Sequence, residues 1–271
     1  MPIETHLLIS DTGLDPVTLL AEATGLSRGR IKAAMTKGAV WRQSNSGKPR
    51  RLRRVNRNLA SGDRLSLYYD ETILAQTPEP PTLIADETDY SVWRKPRGLL
   101  SQGSRWGDHC AMPRCVEQQL NRATVIVHRL DRAATGLILL AHNRRAASAL
   151  SRLFRERQIN KRYRVIVRGR FPATATLDAP LDDKPAITHA RLLAHDHAAN
   201  LSLLEITLAT GRKHQIRRHL AQAGHPVIGD RLHGNDASAD LQLQAAELAF
   251  TCPIHGQERC YRLPAADRLG L

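Results

Sequence analysis

The sequence predicts a small basic α/β module followed by a larger α+β domain, the latter built on a mixed, largely antiparallel sheet with flanking helices. Three observations carry this expectation. Residues 28–64 hold twelve Lys and Arg against a single acid, Asp63, whereas the whole chain of 271 residues carries a formal charge of +14. "ETILAQTPEPPTLIADETDY" (71–90) has no Lys or Arg and three prolines, the composition of a linker. Beyond it, apolar alternation of period two recurs, joined by short loops in some places and by single helices in others. That pattern fits a mixed sheet better than a doubly wound parallel one. The expected boundaries are 1–75 for the module, 76–87 for the linker and 88–271 for the larger domain.

The elements follow in order. "DPVTLLAEATGLSRGRIKAAMTKGAV" has helical spacing at Leu19, Leu20 and Ala23, and again at Ile31, Ala34 and Met35 after Ser27, an N-cap residue. Gly38 ends the second helix and "AVW" opens a strand. A basic loop, "GKPRRLRRVNR", leads to "SGDRLSLYY", where Leu65, Leu67 and Tyr69 share one strand face. In the larger domain "TVIV" and "TGLILLA" are two strands around a charged knot. "NRRAASALSRLFRERQ" then puts Ala146, Ala147, Leu150, Leu153 and Phe154 on one helical face. "KRYRVIVRG" alternates Tyr163, Val165 and Val167 with Arg162, Arg164 and Arg168, and "LSLLEITLATGRKHQIRRHLAQAG" reads as strand, turn at Gly211, and a helix ended by Gly224.

Composition narrows the function classes. No apolar run reaches the length of a membrane span, and no signal-peptide layout opens the chain, so a cytoplasmic protein is expected. Cys110, Cys115, Cys252 and Cys260 lack disulfide-framework spacing, which fits a reducing compartment. His255 stands three residues after Cys252, but the spacings match no closed zinc pattern and no metal is expected. Neither a Walker nor a Rossmann glycine loop occurs, which weighs against a nucleotide cofactor. A window of +11 over 37 residues needs a compensating reason to exist, and nucleic acid is a better one than a membrane surface, because no amphipathic anchor accompanies it. A monomer is the default expectation.

The order of two short helices, "GAV", basic loop and "GDRLSL" strand resembles the small alpha-L RNA-binding module also found in a ribosomal small-subunit protein. Its candidate RNA contacts are Arg28, Arg30, Lys32, Lys48, Arg50, Arg51, Arg53 and Arg54. Four later stretches, "RKPRGLLSQG" (94–103), "HRLDRAATGL" (128–137), "KRYRVIVRG" (161–169) and "GRKHQIRRHLAQAGHPVIGDRLHG" (211–234), together resemble the RluA-type family of RNA pseudouridine synthases. "AAELAFTCPIHGQE" is similar to that family's closing strands. The resemblance spans roughly residues 88–265 and implies an isomerase that needs no cofactor. Such an enzyme breaks the bond between ribose and uracil, rotates the base, and rejoins the sugar to a ring carbon. Its partner is structured RNA, ribosomal first and transfer RNA second.

The resemblance also assigns roles. Asp131 is the catalytic carboxylate, and attack on the anomeric carbon or removal of a neighbouring ribose proton are both open to it. Arg217 is its cationic partner, which favours the charged form. Tyr163 is the pocket tyrosine, able to stack on uracil and to accept a proton during re-aromatisation. Arg129 helps open the RNA, because a stacked uridine hides its glycosidic bond. Thr135, Gly136, His214 and Gln215 are candidates for substrate contact or for shaping the pocket. His128 is expected to be a structural hydrogen-bonding residue. Two places depart from the family pattern. Ala133, Ala134 and Thr135 follow "HRLDR" with the hydroxyl moved by one position, and His233 stands in "GDRLHG" where Tyr is usual. Read without its neighbours, an Asp between arginines is more often a salt bridge than a reagent. The competing classes are an inactive RNA-binding protein acting in ribosome assembly and a glycosidase that releases the base.

Overall fold

The computed structural model describes residues 1–55 and 59–271; Arg57 of the basic loop lies outside the described residues. The chain divides into two units, Met1–Pro78 with Gln102–Cys115, and Glu79–Ser101 with Val116–Leu271.

The first unit begins with β1 (Ile3–Leu8), a strand absent from the expected elements. Its period-two signal is weak because only Ile3, Thr5 and Leu7 are half-buried. Helix α1 (Pro16–Thr24) starts where Asp15 accepts the Val17 N–H, has Pro at its first turn, and closes on left-handed Gly25. Helix α2 (Arg28–Thr36) is capped by Ser27, which accepts the Arg30 N–H. Gly38, at φ +80°, turns the chain into β2 (Val40–Gln43). After β3 (Arg50–Arg51), β4 (Arg64–Tyr69) completes an antiparallel sheet of order β1-β4-β2-β3, and α3 (Glu71–Leu74) follows. Leu65 and Leu67 of β4 are buried in one cluster with Val17, Leu20, Ile31, Ala34 and Met35. Helix periodicity and strand alternation thus meet as the residue pattern requires.

Residues 102–115 join this unit through contacts that no local signal announces. Asp108 forms an ion pair with Arg51 Nε at 2.9 Å and accepts a hydrogen bond from Arg53, and Trp41 Nε1 donates to the Arg105 carbonyl at 2.9 Å.

The second unit opens with β5 (Thr82–Asp86), an edge strand lying within the stretch read as linker, and continues with β6 (Tyr90–Lys95). Next come α4 (Met112–Leu120), whose residues up to Cys115 count with the first unit, β7 (Val125–Ile126), β8 (Thr135–Ala141), α5 (Arg144–Arg155) and β9 (Asn160–Arg168). The remainder is β10 (Thr174–Leu177), β11 (Thr188–Asp196), β12 (Leu201–Leu208), α6 (Gln215–Gln222), β13 (Leu243–Thr251) and β14 (Glu258–Arg262). The sheet runs β10-β11-β12-β9-β13-β8-β6-β5, with β14 beside β13 and β7 beside β8. This is the mixed, largely antiparallel α+β sheet expected. Among the described residues its one parallel pairing is β13 with β8, where Gln244 faces Thr135 and Ala245 faces Gly136.

That seam explains Gly136. A Cβ there would lie 2.2 Å from the Ala245 carbonyl oxygen, and φ is +108°. Only a residue without a side chain lets the two backbones come this close. Helix α5 covers one cluster with Ala146, Leu150 and Leu153; α6 covers another with Ile216 and Leu220, against Val165, Val167 and Ile206.

Gly136→Ala is therefore expected to destabilise the fold by at least about 3 kcal/mol in urea titration, from backbone strain plus overlap. Gly211 meets nothing within 4 Å. Gly211→Ala should change stability by no more than about 0.5 kcal/mol. Equal effects of the two substitutions would contradict this reading of the seam.

Candidate active site

Three elements of the second unit converge on Asp131: the loop between β7 and β8 that carries it, the middle of β9, and the start of α6. They enclose a cleft of about 280 Å³ whose walls include Arg129, Asp131, Tyr163, His214 and Arg217.

The Asp131 loop is held from both sides by the "RKPRGLLS" segment. Ser101 Oγ donates to the Leu130 carbonyl at 2.7 Å and accepts the Leu130 N–H at 3.0 Å. The Gly98 N–H donates to the Arg132 carbonyl at 2.9 Å. Fully buried Lys95 donates from Nζ to the Arg132, Leu99 and Pro96 carbonyls at 3.2, 2.9 and 3.0 Å. Burial pushes the Lys95 ammonium down to about 7, against the opposing pull of Asp131. The residue thus ties the loop to β6 through the Arg132 carbonyl, while the Pro96 and Leu99 carbonyls hold its ammonium in place.

Arg217 is the centre of the site. It is 5% exposed and projects from the first turn of α6. Its Nε and Nη2 donate to the two oxygens of Asp230 at 2.9 and 2.6 Å, and its Nη1 donates to Asp131 Oδ2 at 3.1 Å. Asp230, 1% exposed, also accepts the N–H groups of Leu232 and His233 at 3.0 and 3.1 Å. Burial would raise the Asp230 carboxyl, but Arg217 and those two N–H groups hold it below the usual carboxylate range. Burial alone would lower Arg217; its bonds to Asp230 and then Asp131 reverse that and hold it above the usual value. The Asp131 side chain remains 30% exposed, open to the cleft. A buried, bidentate anchor thus aims one guanidinium nitrogen at a carboxylate that faces solvent.

The other expected residues divide. Tyr163, half-buried between Ala245 of β13 and Ile206 of β12, lines the cleft, and burial followed by the Asp131 charge keeps its hydroxyl above the ordinary tyrosine value. Arg129 is exposed at the cleft and has no ion-pair partner among the described residues. His214, left-handed at φ +53°, caps α6; its Nε2 is 3.8 Å from Asp131 Oδ2 and its Nδ1 is 3.0 Å from His233 Nε2. Burial and then Arg217 and His233 lower His214, while Asp131 opposes them. The Tyr-to-His departure therefore has a direct partner in the site.

Thr135 and Gly136 do not line the cleft; they form the β8–β13 seam. The Gln215 amide has internal partners on both sides. It accepts from Thr210 Oγ1 at 2.8 Å and the Arg212 N–H at 2.9 Å, and donates to Ile187 O at 2.9 Å and Thr188 Oγ1 at 3.0 Å. It braces the loop before α6 and has no donor left for substrate. In the first unit, Arg51 and Arg53 are half-buried on Asp108, and Arg51 also stacks 4.2 Å over Trp41; Lys32, Lys48, Arg50 and Arg54 are exposed, as are Arg28 beside Asp15 and Arg30 beside Glu71. Cys252 is buried in the apolar core and His255 lies 3.7 Å from Asp89, so the two serve separate structural neighbours.

Sequence reasoning misses Asp230 and Lys95. Asp230 sits in "GDRLHG", where only His233 stands out, and a lone Asp ten or more residues from its partner has no periodic signature. Lys95 lies in a quoted motif, but an interior lysine on a strand gives no sign of where its ammonium ends.

Residues 89–222 match the RNA pseudouridylate synthase family. The chain is 35% identical to a tRNA pseudouridine synthase C of Salmonella typhimurium, over 60% of this chain and 77% of that protein. It is 32% identical to an uncharacterised RNA pseudouridine synthase of Mycobacterium tuberculosis, over 95% of this chain and 91% of that one. A tRNA pseudouridine synthase C of Pectobacterium carotovorum is 35% identical over 68% of this chain, and there the chain spans only 58% of the relative's length. In fold, the structure of human RNA pseudouridylate synthase domain containing 1 superposes with a TM-score of 0.59 at 22% identity, covering 70% of this chain and 87% of that one. The chain belongs to the RNA pseudouridylate synthase family.

His128 provides a pH test of the loop's packing. Its Nε2 accepts the Leu139 N–H at 2.9 Å and its ring stacks on Phe154 at 4.1 Å. Burial, then Lys161, pushes the imidazole down to about 3. Between pH 6.5 and about 3 the unfolded chain therefore binds a proton that the folded chain refuses, and stability falls as pH falls through that window. From pH 6.5 to about 5, above the ordinary carboxylate range, the urea midpoint of wild type should drop more than that of His128→Gln. Parallel drops would show that His128 takes up its proton in the folded protein.

Proposed function

We propose that this protein isomerises specific uridines in structured RNA to pseudouridine, with Asp131 as the catalytic carboxylate. The observation that supports this most strongly is a partly exposed carboxylate at a cleft, bonded to a buried guanidinium that a second carboxylate anchors. A purely structural salt bridge has no need of an open side, and a third partner would close it.

Each reaction demand has a residue of suitable chemistry. The target uridine must leave its stack before its glycosidic bond can be reached. Arg129, charged and without an ion-pair partner among the described residues, is suited to occupy the space the base leaves. Tyr163 offers a ring face for the uracil and a hydroxyl for the proton lost when the new carbon link re-aromatises. Because burial and the Asp131 charge keep that hydroxyl protonated at rest, it takes the ring proton only in step with passing its own proton to solvent. Arg217 balances Asp131 as charge develops on the sugar, and Asp230 keeps Arg217 from following the substrate. His214 shapes the wall beside Asp131.

The exposed cations Lys32, Lys48, Arg50 and Arg54 of the first unit, together with Arg28 and Arg30, supply phosphate contacts of the alpha-L kind. Arg51 and Arg53 act indirectly, by fixing residues 102–115 to that unit. Among the relatives, those of Salmonella typhimurium and Pectobacterium carotovorum are named for transfer RNA and another, 29% identical in Neisseria meningitidis, for the ribosomal large subunit. The basic first unit favours ribosomal RNA as the substrate, with transfer RNA second, and the work belongs in the cytoplasm.

The test is a map of pseudouridines across total RNA from cells lacking the gene, complemented with wild type or Asp131→Asn. Wild type should restore pseudouridine at discrete positions. Asp131→Asn should restore none, its rate lowered on the order of 10³-fold or more, while binding RNA within about twofold of wild type. Unchanged maps in all strains would favour an inactive RNA-binding protein, and release of free uracil would favour a glycosidase.

A further inference from the structure

A second cavity, of about 260 Å³, adjoins the Asp131 cleft and shares Phe154, Lys161, Gly211 and Arg212 with it. Arg155 and Arg157 complete its charged lining, so four cations and no carboxylate face one small space. Arg155, Arg157 and Lys161 have no ion-pair partner among the described residues. The surrounding sequence is strongly biased: residues 144–168 contain nine Lys and Arg and one acid, Glu156.

Helix chemistry explains only part of this. Arg152 and Arg155 lie in the last turn of α5, where cations complement the helix dipole. Arg157 lies past the helix at φ +59°, a conformation that Gly or Asn adopts more easily. Lys161 is half-buried in β9, and its ammonium is lowered first by burial and then by Arg157. Like charges crowded into a partly dry pocket repel, and a bound anion turns that repulsion into attraction. Guanidinium groups match phosphate oxygens with paired hydrogen bonds. The cavity is small enough for one phosphate with its flanking sugar atoms.

We propose that this cavity is a phosphate subsite, which holds a backbone phosphate of the RNA strand next to the nucleotide whose base enters the Asp131 cleft. The proposal rests on the reading of that cleft as the place where uridine is isomerised. The shared wall gives the subsite its role. A strand fixed by its phosphate on one side of Phe154 presents its neighbouring base to the other side, and the two walls cannot move apart. The subsite thus converts non-specific backbone binding into register.

The test uses the full-length protein and bulk ribosomal and transfer RNA from cells lacking the gene. The pocket variant is Arg155→Ser with Arg157→Ser. The charge-matched control is Arg170→Ser with Lys184→Ser, two exposed residues outside the cavity. The pocket variant should lower the slope of log K against log salt by about 0.7–0.9, the change for one phosphate that is no longer neutralised. It should raise KM about fivefold or more with kcat little changed, and Arg155→Lys with Arg157→Lys, which keeps charge without the paired hydrogen bonds, should restore the salt slope but only part of KM. The control should leave slope and KM near wild type. Identical slopes and KM values for pocket and control variants would overturn the subsite, as would a fall in kcat at unchanged KM. If wild type isomerises no uridine yet the pocket variant alone shows a lower slope, the subsite stands and the isomerase reading falls.

Discussion

One guanidinium joins two carboxylates of opposite situation. Asp230 is buried, doubly bonded to Arg217 and further satisfied by two backbone N–H groups; Asp131 takes a single bond and keeps an open side. Desolvating an arginine this deeply is unfavourable unless its charge is met, and Asp230 meets it fully. Because the anchor is complete without Asp131, Arg217 can serve Asp131 without depending on it. That asymmetry is what separates a reactive carboxylate from an ordinary interior ion pair.

The rest of the second unit brings this contact into being. Gly136 lets β8 run against β13 in parallel, which sets where the β7–β8 loop ends. Lys95, Gly98 and Ser101 hold the loop from β6 and the turn after it, and His128, neutral and stacked on Phe154, ties its start to Leu139. Gln215 fixes the turn that starts α6 and so the direction of Arg217, two residues on. Most of these bonds go to backbone carbonyls or N–H groups, so the loop is fixed largely through its main chain and the Asp131 side chain keeps an open side. The further basic cavity lies on the same framework, since Phe154, which packs against His128, also forms its wall.

Much of this is legible in the sequence. Period-two runs mark β4 and β9, a continuous apolar run marks β8, the Ser27 cap and Gly38 bound α2, and the blocks around Asp131, Tyr163 and Arg217 point to residues that the structure brings to one cleft. What is not legible follows a common physical cause. Asp230, Lys95 and the attachment of residues 102–115 are placed by polar contacts whose spacing in sequence follows no period. Gly136 stands beside a residue of the cleft and Gln215 lines it, so position suggests substrate contact, whereas close backbone packing and a saturated amide decide their roles. Arg51 and Arg53 look the same as Arg50 and Arg54 in a basic run, and only Asp108 separates them. Edge strands β1 and β5 bury too little to show a pattern.

The central claim is that Asp230 acts through Arg217 on Asp131, and Asp230→Asn tests it most directly because shape is kept while the anchoring charge is removed. Circular dichroism and thermal melting establish that the variant is folded, and single-turnover isomerisation of RNA from cells lacking the gene gives the rate. The rate is expected to fall by about 10²-fold with RNA affinity unchanged, since Arg217 would no longer be held toward Asp131. A folded Asp230→Asn protein that isomerises uridine at the wild-type rate would contradict it.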